Sequence, residues 1–154
     1  MNELTQHIYS DAKIHGLEQW KTKNVLDCIK DIASEMGLHV YFFNYSSELN
    51  NLGGTWGIFL NQQQNTQQIW QDFGQAVGAY ISYQLSADNG ENNHMQDFHY
   101  YFCVPTFLLE ELMSLLTLDN RKRDPDWIIS EVSKVFHVEP SFAKKRLELY
   151  SVSI

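Results

Sequence analysis

The chain has 154 residues, 44% of them hydrophobic and 14% aromatic, and a formal net charge of -8. Its length suits one domain with a buried core, and its apolar content excludes a disordered chain. The acidic balance excludes a general phosphate binder, which needs a positive surface.

The charge is uneven. Residues 1–118 hold four Lys or Arg against thirteen Asp or Glu, and residues 119–154 hold seven against six. The basic groups cluster at Arg121-Lys122-Arg123 and at Lys144-Lys145-Arg146. Both clusters read as solvated faces, with Lys144, Lys145 and Arg146 as the candidate basic contact to a partner. No apolar run is long enough to span a membrane, and "MNELTQHIYSDAKIHG" has no signal-peptide core. A cytoplasmic protein without membrane contact is expected. Cys28 and Cys103 lack the spacing of a metal site and are expected to be reduced and buried.

In chain order, residues 3–14 suit a short helix. Over 22–36, Val25, Leu26, Ile29, Ile32, Ala33 and Met36 share one helical face, with Thr22 as the expected N-cap and Gly37 as the stop. "LHVYFFNY" (38–45) and "TWGIFLN" (55–61) read as strands forming an antiparallel pair, with "NNLGG" as a turn. "NQQQNTQQ" (61–68) is a polar loop entering a helix.

That helix is expected from about Thr66 to Gln84, with Ile69, Phe73, Val77 and Tyr80 on its apolar face. Gly78 inside it costs about 1 kcal/mol against alanine, a cost that close approach of another backbone would explain. A further helix covers about 94–103, with Met95, Phe98 and Phe102 inward. Thr106 is the expected cap of 107–117, Asp124-Pro125 opens another helix, and Ser141 caps the last. The fold class is α+β: a mostly helical single domain over 1–154 with a small antiparallel sheet.

Three segments occur in a telling order: "WQDFG" (70–74) opening a helix, "FCVPTF" (102–107) and "FAKKRL" (142–147). Together they resemble the ImmA/IrrE family of bacterial and phage metallopeptidases. Members of this kind read W-Q-D-F-G-H-E-L-C-H, then a Glu on the next helix, then F-C-V-P-T-F. The resemblance implies a zincin-like core. In such a core two histidines four apart share a helical face and bind one zinc, and the Glu between them takes a proton from the zinc-bound water.

Carried over residue by residue, the resemblance implies a vacated site. The first His position is Gln75, the base position Ala76, the second His position Ala79, and the third-ligand position Asn92. No catalytic residue, metal or cofactor is expected there. Small and neutral groups in place of charged ligands leave a more apolar groove around Ala76, Val77, Ala79 and Tyr80. Val77, Tyr80 and Tyr83 are its candidate partner contacts, and Tyr100 and Tyr101 are further aromatics near it.

The implied function is a pseudo-metallopeptidase of a prophage or other mobile element in a Gram-positive bacterium. It acts by binding a protein partner: a repressor, a host regulator, a toxin or a defence protein. One alternative is a metallopeptidase with a rebuilt site from Glu91, His94 and Asp97, with His99 about 140° round the helix from His94 and so on the wrong side. The other is a nucleic-acid-binding regulator. "SEVSKVFHVEPSFAKKRLELY" has a helix-turn-helix rhythm, but its turn carries no glycine.

Overall fold

The computed structural model describes residues 2–89, 96–118 and 124–152. Among them, helices α1 (Asn2–Asp11), α2 (Leu17–Thr22) and α3 (Val25–Glu35) precede strands β1 (His39–Phe43), β2 (Glu48–Leu52) and β3 (Thr55–Asn61). Helices α4 (Thr66–Asn89), α5 (Phe98–Cys103), α6 (Thr106–Leu116), α7 (Pro125–Phe136) and α8 (Pro140–Val152) follow. The class is α+β and mostly helical. No helix among the described residues is long and apolar enough to cross a membrane.

The sheet corrects the expected pairing. Its order is β1-β3-β2, with β1 parallel to β3 and β2 antiparallel to it, so it is mixed and not antiparallel. The hairpin partner of β3 is the polar segment "ELNNL", part of which reads as a turn by composition. The turn itself is Gly53-Gly54, with φ of 65° and 92°. Left-handed backbone at both central positions is what a two-residue hairpin with right-twisted strands requires, and glycine supplies it without strain.

Several helix ends also differ. Thr22 is the last residue of α2, and its hydroxyl donates to Gln19 O; the N-cap of α3 is Asn24, whose side chain accepts from Leu26 N at 2.9 Å. Gly37 does end α3, with φ +73°. Thr106 is the first residue of α6 and Pro105 holds the cap position. Ser141 is inside the first turn of α8, which begins at Pro140. Asp124 caps α7 as expected, accepting from Asp126 N at 3.0 Å.

The core is aromatic. Trp20 lies against Trp70 and Phe136, and Phe102 meets Tyr9, Trp70, Phe73 and Phe98. All seven of these side chains are buried. Their polar atoms are satisfied, as burial demands. Trp20 Nε1 donates to Val135 O at 2.7 Å, Trp70 Nε1 donates to Cys103 O at 3.3 Å, and the Tyr9 hydroxyl donates to Phe102 O. Cys28 and Cys103 are free thiols in this core, with Cys28 pushed up to about 12 by burial.

Helix α5 packs directly on α4 because α4 has no side chains at two successive turns. A Cβ at Gly74 would stand 2.6 Å from Cys103 Sγ, and one at Gly78 would stand 2.9 Å from Phe98 Cδ1. The neighbour that explains Gly78 is therefore an aromatic ring and not another backbone.

Candidate functional site

Helix α4 begins where Asn65 accepts from Gln68 N at 2.8 Å, closing the amide-rich loop after β3. Four of its residues, Asp72, Gln75, Ala76 and Ala79, recur at helical spacing and meet Ser46, Ser47, Glu48 and Leu49 across a cavity of about 390 Å³. On the far side of Asp72 and Gln75 a second cavity of about 280 Å³ is closed by Gln71, His99, Tyr100, Ser141 and Phe142. The two share Asp72 and Gln75. Together they make one groove, running from the start of β2, over α4, to α5 and the first turn of α8.

The three described positions of the resemblance all lie on this groove. Gln75 is exposed, Ala79 is half-buried and Ala76 is buried. A carboxamide and two methyl groups supply neither the paired imidazoles nor the proton acceptor that zinc hydrolysis requires. The residues present do not fit a catalytic metal on this face. Among the described residues, no group of three or more His, Cys, Asp or Glu side chains could hold a metal ion. Asn92, Glu91 and His94 lie outside the described residues, as do Met95 and the basic cluster 121–123. Asp97 precedes α5 and makes no capping hydrogen bond.

Two titratable groups on the groove, Asp72 and His99, have close side-chain neighbours. Asp72 Oδ2 accepts from Gln64 Nε2 at 2.8 Å. His99 lies 4.2 Å from Tyr100 and 5.7 Å from Phe142, centroid to centroid. Desolvation holds its imidazole below the ordinary 6.5, against a weaker opposing pull from Asp97. By helical spacing His99 is on the wrong side to share a metal with His94, which lies outside the described residues. The structure turns His99 into the groove, because α5 packs on α4 and not beside it. Asp72, three residues before Gln75, was within reach of helical spacing alone.

Two of the expected contact residues, Val77 and Arg146, are buried. Val77 is fully buried, so it belongs to the core and not to a partner surface. Tyr80 and Tyr83 pack on Trp56 at 5.8 and 5.4 Å, Tyr80 half-buried and Tyr83 exposed, so these rings cover the inner side of β3. Arg146 leaves the basic cluster: it is fully buried, donating from Nε to Val104 O at 2.8 Å and from Nη2 to Thr106 Oγ1 at 2.9 Å. Its guanidinium lies 4.5 Å from the centroid of the Tyr101 ring, and burial lowers its pKa to about 10. Lys144 and Lys145 alone remain exposed.

The turn between α7 and α8 dispenses with glycine. His137 takes the left-handed conformation, φ 56°, and Ser133 Oγ donates to Val138 O at 2.6 Å. Helix α4 holds this turn from outside: Gln67 Nε2 donates to Val138 O at 3.2 Å, and Gln71 bonds Glu139 through both ends of its carboxamide.

No family model matches the chain, and no solved structure matches it. The chain is 30% identical, over 161 aligned positions, to the phage-like element PBSX protein XkdA of Bacillus subtilis (strain 168); the alignment spans 97% of this chain and 76% of that one. With that identity sustained along nearly its whole length, the chain belongs to the family of this phage-like element protein.

Proposed function

We propose that the protein is a catalytically inactive relative of the ImmA/IrrE metallopeptidases, serving a prophage or other mobile element by binding a protein partner. The observation that carries this reading is the face of α4. Gln75, Ala76 and Ala79 line an open groove at the spacing a zincin uses for its ligands and base, and none of them can hold a metal or take a proton. Similarity to a phage-like element protein fits the setting. The zincin-like core belongs to the same proposal. A groove with the small side chains of Ala76 and Ala79 on its floor admits a partner's side chain, and Asp72 and Glu48 on its walls favour a basic one. The partner class is a regulator of the same element, a helix-turn-helix repressor foremost.

The test is incubation of the purified chain with a helix-turn-helix repressor of the same mobile element. Complex formation by calorimetry, with the repressor intact after prolonged incubation and no stoichiometric zinc, nickel or manganese in the protein, supports the reading. Cleavage of the repressor, or one equivalent of tightly held metal, overturns it.

A further inference from the structure

The sheet has a second face, turned away from the core. Val40, Phe42, Leu49 and Trp56 pack inward with the buried Ile58 and Leu60. Strand alternation sends the intervening residues outward. There they form a continuous row of rings: His39 to Tyr41 at 6.4 Å, Tyr41 to Phe59 at 4.9 Å, Phe59 to Phe43 at 5.3 Å, and Phe43 to Tyr45 at 5.9 Å. Gly57 lets the row lie flat, since a Cβ there would stand 3.2 Å from the Tyr41 ring and 3.3 Å from the Phe59 ring. Tyr41 remains 45% exposed and Tyr45 75% exposed.

The sheet segment 39–61 itself holds a single Asp, Glu, Lys or Arg, which is Glu48. Glu48 stands opposite Phe59 in the antiparallel register. No Lys or Arg occurs between Lys30 and Arg121. Amides of Asn44, Asn50 and Gln62 complete the rim, and all three residues are exposed. Ring faces attract cations, and guanidinium stacks on them more readily than ammonium does. Platforms that stack nucleic-acid bases pair their rings with a positive groove, and the sheet segment 39–61 holds no Lys or Arg to supply one.

We propose that the outer face of the sheet is a docking surface for an arginine-bearing segment of a partner protein, whose guanidinium groups stack on Tyr41, Phe59 and Tyr45 beside Glu48. This surface shares Glu48 with the wall of the α4 groove but none of its rings, and its test does not depend on whether that groove is inactive.

The test uses the full chain and a fluorescein-labelled peptide of alternating arginine and serine. Controls are its lysine counterpart and a labelled oligothymidylate. The arginine peptide is expected to bind about tenfold more tightly than the lysine peptide. Tyr41→Leu with Tyr45→Leu should bring that ratio to about one, and Glu48→Gln should weaken both peptides about threefold. Circular dichroism checks the fold, and Tyr45→Leu alone serves as a variant too exposed to disturb it. Four outcomes overturn the proposal: no binding of the arginine peptide, equal binding of both peptides, a ratio unchanged in the double variant, or tighter binding of oligothymidylate. Self-association of the chain that Tyr45→Leu abolishes would also overturn it, by making a second copy the occupant.

Discussion

The Gln71 carboxamide grips one residue twice: its Oε1 accepts from Glu139 N at 2.7 Å, and its Nε2 donates to Glu139 Oε1 at 2.8 Å. Helix α4 thereby holds the α7–α8 turn beside the groove and sets where Ser141 and Phe142 close it. Replacing Gln71 by Ala leaves a half-buried backbone N–H and a carboxylate without this partner. The expected loss is about 1–2 kcal/mol in urea unfolding. Gln71→Glu should cost at least as much, because two carboxylates then face each other.

Arg146 and its neighbouring lysines should part company under mutation. Arg146→Ala removes a buried cation, strands the Val104 carbonyl and opens a cavity, at an expected cost of about 3–5 kcal/mol. Lys144→Ala and Lys145→Ala are exposed changes expected to stay within about 0.5 kcal/mol. Denaturant midpoints for the three variants check the contrast.

Alanine at the two α4 glycines sets helix propensity against packing. Propensity favours alanine by about 1 kcal/mol. At Gly74 the added methyl meets a buried sulfur at 2.6 Å, and overpacking of about 1–3 kcal/mol should prevail. At Gly78 the obstacle is the edge of the Phe98 ring at 2.9 Å, which can tilt, so Gly78→Ala should be the milder change. Thermal melts of both variants give the order; Gly74→Ala at or above wild-type stability would contradict the close approach of α5.

His99 and His137 make stability pH-dependent in a definite direction. Desolvation lowers both imidazoles below the ordinary 6.5, so the unfolded chain takes up protons before the folded one. Their share of stability is complete above that value and is lost as the pH falls below it toward the folded-state values. Urea midpoints should therefore drop between about pH 7.5 and pH 5, and His99→Gln should flatten part of that slope. A midpoint rising on acidification would contradict the burial of both rings.

Much of the helical framework was legible in residue spacing. Val25, Ile29, Ile32 and Ala33 mark the buried face of α3, and Ile69, Phe73 and Val77 mark that of α4, because a helix must bury its stripe somewhere. Asp124-Pro125 marked a helix start through local backbone chemistry alone. The polar strand β2 was not legible. Its residues "ELNNL" carry little apolar alternation, being an edge strand with most side chains in solvent. Its hydrogen bonds are satisfied by β3, so only the pairing reveals it. Missing β2 made β1 and β3 look antiparallel.

The candidate site divides the same way. That Gln75, Ala76 and Ala79 share a helical face followed from spacing, and so did the absence of an imidazole or carboxylate among them. Which side chains meet this face was decided only by tertiary packing. The absent Cβ atoms at Gly74 and Gly78 bring α5 and His99 onto α4, Gln71 draws in the α7–α8 turn, and β2 supplies the opposite wall. Helix periodicity and turn chemistry act between residues a few positions apart, so a linear chain displays them. Burial of Val77 and Arg146, and the outward row from His39 to Tyr45, depend on segments far apart in sequence competing for one core.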